Sequence, residues 1–326
     1  MTLSFPTFSD SSINVSILLS TEPTLASQVY TGPITISQTS VLSAINFGAN
    51  LESIIRVATY FIDVEHDLPV VSCAGEGVFS LFDGQGGSFE PTGHLELFEE
   101  NGDFVGGAIG AYNKHGNDSW AYLQRGVDYI VRDEFGDANR IFHQIFPNSP
   151  RGDFKRFMLK AGANDNYPFE NGAHIRDAFV QTLSQKAGLL LDERTWRPCV
   201  VYLNGEYWGV YEIREKYDDH HFTDFYYNQD EWFGQNQQGL HYLKTWGATW
   251  EEYGNGEALI AWEDLRTFIL NNNMGLNNNW NYVDSLYNWR SLVDYFCVNS
   301  WIVSQDWLNW NTAWWRGRNP NETKKK

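Results

Sequence analysis

The sequence predicts an α+β protein, strand-rich at first and helical towards its end. Three observations carry this reading. Short segments rich in Val, Ile and Thr, broken by Gly, Pro and Asn, recur up to Ile213. The pair Asn204-Gly205 joins two of them and supplies the positive φ angles of a tight hairpin turn. Beyond Tyr217 the apolar residues recur at the three- and four-residue spacing of helices.

Composition narrows the class. The chain has 326 residues, 42% hydrophobic and 16% aromatic, enough to bury a sizeable core and to exclude wholesale disorder. Its 41 acidic and 23 basic residues give a net charge of −18. Such a surface repels nucleic-acid backbones and anionic lipid, so neither is an expected partner. A nucleotide site would need local Lys or Arg, or a bound divalent cation, against that field. The three cysteines, Cys73, Cys199 and Cys297, form no CxxC pair, which excludes zinc-ribbon and thioredoxin-type chemistry. Buried apolar fillers, or one disulfide and a free thiol, both remain open. No signal peptide is visible at the start, and no apolar run is long enough to span a bilayer.

In chain order, residues 13–19, 33–37, 41–46 and 54–62 read as strands, so residues 1–63 are expected to form a small all-β sandwich module. Val29-Tyr30-Thr31-Gly32-Pro33-Ile34 and Ala58-Thr59-Tyr60-Phe61-Ile62 resemble the module at the C-terminal end of chitobiases and hexosaminidases. That resemblance implies an accessory spacer, with glycan contact as a possible role. Residues 95–99 alternate, 100–103 read as a turn, and 106–111 as the return strand. Glycines are dense between Gly75 and Gly116, but no Walker spacing or helix-opening GxGxxG supports a phosphate cradle. Residues 154–160 read as a strand that ends in the loop Gly162-Ala163-Asn164-Asp165. Residues 175–188 carry a helical stripe of Ile175, Phe179, Val180, Leu183 and Ala187 stopped by Gly188. Strands at 200–203 and 207–213 flank the Asn-Gly turn. A helix is expected at 258–270, a loop over the Asn-rich run 271–281, and a mostly apolar, buried helix at 292–303.

Several ordered segments resemble the CotH kinase family: Leu159-Lys160-Ala161-Gly162-Ala163-Asn164-Asp165, Ile175-Arg176-Asp177-Ala178-Phe179, Tyr202 to Glu215, and Gln305-Asp306-Trp307-Leu308-Asn309-Trp310-Asn311-Thr312. Upstream, Leu68-Pro69-Val70-Val71, Gly116-Asn117-Asp118-Ser119 and Arg132-Asp133-Glu134-Phe135-Gly136 look similar to it as well. The resemblance implies a bilobal protein-kinase-like fold over 64–326, truncated at the C-terminus. Its strand-rich lobe would cover about 64–216 and its helical lobe about 217–326. It further implies a secreted, extracellular or cell-surface protein that moves the ATP γ-phosphate to Ser or Thr of a surface or coat protein, with Mg²⁺ or Mn²⁺. The alternative is a non-catalytic binding or structural protein that keeps the fold.

Phosphoryl transfer needs a carboxylate to orient the acceptor hydroxyl, and cations to neutralise the phosphates. Asp306 and Asn311 have the Asp-x4-Asn spacing that kinases use for the catalytic carboxylate and a metal-binding amide. Helix capping is the alternative for Asp306, and Asn309 the rival of Asn311. Lys160 at a strand end and Asp177 at a helix start are candidates for the phosphate-binding cation and its positioning acid. Arg125 is a second phosphate candidate, Tyr211 a candidate for stacking on adenine, and Glu215 an interlobe or nucleotide-contacting candidate. Asp218-Asp219-His220-His221 reads as a solvated helix start rather than a metal site, and most of the tryptophans as core. The family's downstream Asp-x-Asp metal segment is missing after Trp314-Trp315-Arg316-Gly317. The expectation is therefore an internal fragment of a longer protein, inactive or weakly active as it stands.

Overall fold

The computed structural model describes residues 2–3, 11–17, 22–48, 52–86, 88–166, 172–217, 220–229 and 239–319. The chain divides into two compact units: residues 1–177 with 195–215, and residues 178–194 with 216–326.

The first unit opens with an antiparallel sheet of β1 (Ser11–Ile17), β2 (Gln28–Val29), β3 (Ser40–Gly48) and β4 (Arg56–Tyr60), in the order β2-β1-β3-β4. Thr2–Leu3 pairs separately with Ile34–Thr35. Leu42 and Ala44 of β3 are buried against Ile13, Tyr30, Ile34 and Tyr60.

Seven strands then close into a barrel. They are β5 (Val70–Ala74), β6 (Thr92–Phe98), β7 (Phe104–His115), β8 (Gly126–Val131), β9 (Arg156–Lys160), β10 (Trp196–Leu203) and β11 (Glu206–Glu215). The order around the barrel is β8-β9-β11-β10-β5-β6-β7, and β7 pairs back onto β8. Among the described residues, the β10–β5 pairing of the barrel is parallel and its other pairings are antiparallel. Alternate residues fill the interior, as the two-residue period of a strand demands: Phe157 and Leu159 on β9, Tyr211 and Ile213 on β11, Tyr129 and Val131 on β8. Buried hydroxyls find carbonyls: Tyr129 Oη donates to Ala108 O at 2.5 Å and Tyr112 Oη to His94 O at 2.6 Å.

The expected hairpin forms as β10 and β11, with φ of 50° at Asn204 and 85° at Gly205. Both are left-handed, which Asn and Gly tolerate best. Gly110 serves close strand approach, because a Cβ there would lie 2.3 Å from Ile130 O. Gly93 and Gly107 make the same kind of approach, with Cβ positions 2.5 Å from Ala74 O and 2.8 Å from Leu95 O. The fold is mixed α and β with a large strand content. A closed seven-stranded barrel was not part of the sequence expectation, since closure depends on long-range register rather than on any local signal.

A buried acid joins the small sheet to the barrel. Glu96 on β6 is 7% exposed and accepts from Thr59 N at 2.9 Å and Thr59 Oγ1 at 2.6 Å. Thr59 Oγ1 also lies 2.7 Å from Ser72 Oγ. Burial pushes the Glu96 carboxyl up to about 7, although the Thr59 donors pull it back. The folded state therefore holds the proton more tightly than the unfolded chain does. That contribution to stability is full below the ordinary glutamate range, about pH 4.5, and is lost as pH rises through 7. Burial pushes neighbouring His94 down to about 4, which acts in the opposite sense between pH 4 and 6.5. Comparing wild type with Glu96→Gln isolates the acid. Urea midpoints at pH 5 and pH 8 should show wild type losing stability relative to the variant on going to pH 8. Parallel pH dependences would contradict this.

The second unit holds an antiparallel sheet of β12 (Leu240–Trp246), β13 (Ala248–Tyr253) and β14 (Thr312–Gly317), with β12 central. Asp192 accepts from Tyr227 Oη at 2.6 Å and from Trp315 Nε1 at 2.7 Å. With α1 (Val78–Phe82) against the barrel and α2 (Arg176–Ala187) after the Gly-Ala-Asn-Asp loop, the described residues also form the α-helices α3 (His220–Tyr227), α4 (Glu257–Asn271), α5 (Asn277–Leu286) and α6 (Trp289–Trp301). Gly188, with φ 66°, follows α2 as expected.

Two expectations need correction. The Asn-rich run is helical from Asn277, because packing overrides its weak propensity: Tyr282 lies 4.5 Å from Phe268 and Trp280 5.6 Å from Trp289, between ring centres. Helix α6 forms, but only Val298 on it is buried. Phe296 and Trp301 are exposed. The cysteines are all free thiols, Cys73 and Cys199 buried in the barrel and Cys297 exposed on α6. Among the described residues, no helix is long and apolar enough to cross a membrane.

Candidate functional site

On β9 the inward side chains are Phe157 and Leu159, so Met158 and Lys160 point away from the barrel core. Lys160 stands opposite Glu212 in the β9–β11 register, and Met158 opposite Arg214. Asp177, the second residue of α2, brings these charges together. Its Oδ2 accepts from Lys160 Nζ and from Arg214 Nη1, the latter at 2.7 Å. Arg214 turns its other edge to Glu212 Oε2, through Nε at 2.8 Å and through Nη2. Two acids and two bases balance. The Arg214 side chain is 0% exposed, whereas that of Lys160 is 17% and that of Asp177 40% exposed.

The helix start that carries Asp177 is fixed from the preceding loop. Buried Asp165 accepts from Ala173 N at 2.8 Å and Arg176 N at 2.7 Å, and its Oδ1 lies 2.9 Å from Arg176 Nε. This carboxylate ties the loop to the first turn of α2, where donors have no partner inside the helix.

Three other candidates occupy structural positions. Tyr211 is fully buried inside the barrel, its ring edge against Phe82 and its hydroxyl accepting from Trp208 Nε1 at 3.0 Å. It offers no open face for adenine, because its place in the strand alternation points it inward. Glu215 is also fully buried and pairs with Arg151 Nη1 at 2.9 Å. Arg125, half-buried, gives two of its nitrogens to backbone: Nε to Trp120 O at 3.0 Å, and Nη1 to Phe82 O at 3.0 Å and Leu123 O at 3.3 Å. These bonds pin the loop before β8.

The second group lies between α6 and β14. The segment holds left-handed residues at Val303, Leu308 and Asn311. It is anchored from both sides. Trp307 packs on Tyr295 and Phe296 of α6 at 5.9 and 5.4 Å, and Asn309 O accepts from Gly247 N at 2.7 Å. Trp310 meets Trp246 at 5.0 Å. Within this frame Asn311 Nδ2 donates to Asp306 Oδ2 at 2.7 Å, and both residues are exposed. Among the described residues after Asp306 no helix starts; the segment runs into β14, so helix capping does not describe it.

With its Nδ2 turned to Asp306, Asn311 has its amide oxygen as the atom to meet a cation. An amide oxygen is a hard donor of the kind Mg²⁺ takes when substrate phosphates and water complete its shell. No cluster of three or more His, Cys, Asp or Glu able to hold a metal occurs among the described residues. Asp218 and Asp219 lie outside them; His220 opens α3.

The sequence reading missed Glu212, Arg214, Arg151 and Asp165. For the first two a signal existed: Glu212-Ile213-Arg214 on a strand puts an acid and a base on one side, next to the strand of Lys160. A family model described as CotH kinase protein matches residues 128–326. None of the curated proteins matches the chain. The matched segment holds Lys160, Asp177, Arg214, Asp306 and Asn311, and it is more than half of the sequence: the chain belongs to the CotH kinase family.

Proposed function

We propose that this chain is a kinase-like phosphotransferase of bilobal design. It would move the ATP γ-phosphate to Ser or Thr hydroxyls of surface or coat proteins outside the cell. The observation that carries the reading is the exposed Asp306 carboxylate held by the Asn311 amide on an anchored loop. In this reading Asp306 orients the acceptor hydroxyl and takes its proton onto a carboxylate oxygen as the new P–O bond forms, while the bond from the γ-phosphorus to the β–γ bridging oxygen breaks and ADP leaves. Asn311 keeps that carboxylate turned and would offer its amide oxygen to Mg²⁺ or Mn²⁺. The metal, when bound, supplies positive charge to the phosphate oxygens.

Lys160 has the matching part in the first unit. Its ammonium, held at the strand end by Asp177, would pair with phosphate oxygens, and Asp177 keeps it from straying. Family membership and the Lys160–Asp177 ion pair support the reading. Lys160→Met should weaken Mg·ATP binding about 10- to 100-fold, the worth of one charge-assisted bond. Titration calorimetry on the folded variant checks this. Unchanged affinity would remove Lys160 from the site.

A further inference from the structure

Asp177 serves two cations that are not alike. Arg214 is 0% exposed and is locked by a two-pronged bond to Glu212, its neighbour two residues along the same strand face. Lys160 reaches the same Asp177 oxygen from β9, but its side chain retains access to solvent at 17%. An anion arriving from water can therefore draw off Lys160 and cannot reach Arg214. Sharing one carboxylate oxygen also divides its attraction, so each cation is held less tightly than it would be alone.

We infer that Arg214 is a positioning residue: it is the fixed partner of Asp177, and it leaves Lys160 as the exchangeable one. When Lys160 turns to a phosphate, Asp177 stays ionised and in place on Arg214, and Lys160 returns to it afterwards. A lone Lys–Asp pair lacks this property, because the acid loses its only anchor whenever the lysine leaves. The inference rests on the proposed role of Lys160, but its central element, the ease of release of Lys160, can be measured without nucleotide.

The test is the rate at which an amine-acylating reagent modifies Lys160, followed by peptide mass spectrometry on the full chain. Two variants are compared, Glu212→Gln alone and Glu212→Gln with Arg214→Met, so that they differ only at Arg214 and no buried acid is left unpaired. Removing Arg214 takes one competing cation from Asp177, and acylation of Lys160 should slow about two- to fivefold. An equal or faster rate in folded protein, checked by far-ultraviolet circular dichroism, would overturn the inference. Should the double variant fail to fold, Arg214→Lys replaces it. Its single ammonium keeps Glu212 and gives up Asp177, so Lys160 should again react more slowly than in wild type, and equality would overturn the inference. Protection of wild-type Lys160 by Mg·ATP is measured separately. Its absence would sink the nucleotide reading without touching the Arg214 result.

Discussion

Glu215→Ala is expected to destabilise the first unit by about 3–5 kcal/mol, the usual cost of stranding one member of a buried ion pair. Arg151 and Glu215 have side chains 1% and 0% exposed and meet at 2.9 Å. Arg151 also donates through Nε to Asp153 O at 2.9 Å, and its guanidinium lies 4.7 Å from the Phe154 ring centre. The pair thus ties the end of β11 to the segment that leads into β9. Removing only the acid leaves a guanidinium with no water to solvate it. Replacing both, as Arg151→Met with Glu215→Leu, should recover most of the loss, since apolar side chains of similar volume suit a site this dry. Urea unfolding of the three proteins checks both expectations. A loss below about 1 kcal/mol for the single variant would show that the pair is solvated.

That experiment also bears on why some of the chain was legible from sequence and some was not. The hairpin at Asn204-Gly205, the helix after the Gly-Ala-Asn-Asp loop and the strand ending at Lys160 are set by local chemistry: positive φ, a glycine stop, a two-residue period. They were readable for that reason. The pairing of Lys160 with Asp177 was readable because motif order constrained it. Tyr211 and Glu215 were not, because which side of β11 faces the barrel core depends on closure of seven strands. Tyr211 points into the core, and Glu215 ends in a dry ion pair. Nothing in Arg151 taken alone marks it as the partner of a residue 64 positions away. For Arg125, Nε and Nη1 bond to carbonyls that include those of a loop whose path no periodicity encodes.

The Asn-rich run shows the limit of propensity. Asparagine disfavours helix interiors, yet Trp280, Tyr282 and Val283 supply α5 with enough packing to hold it. Exposure of Phe296 and Trp301 on α6 is equally out of reach of sequence, because an apolar stripe says which face could be covered and not whether it is.

The loop from 302 to 311 carries the largest functional expectation. Its aromatic anchors and left-handed residues hold Asp306 and Asn311 in contact while leaving both open to solvent. A carboxylate that takes a proton in the transition state is worth about 10²- to 10⁴-fold in rate. Asp306→Asn is nearly isosteric and removes only the charge and basicity, so nucleotide affinity should change far less than turnover. The decisive measurement is phosphate transfer from γ-labelled ATP to an added Ser/Thr protein, with Mg²⁺, by wild type and Asp306→Asn, beside Mg·ATP affinity for both. Transfer that falls about 10²- to 10⁴-fold with affinity nearly kept is the expected result. Equal transfer by the two proteins would contradict the assignment of Asp306 as the catalytic carboxylate of this chain.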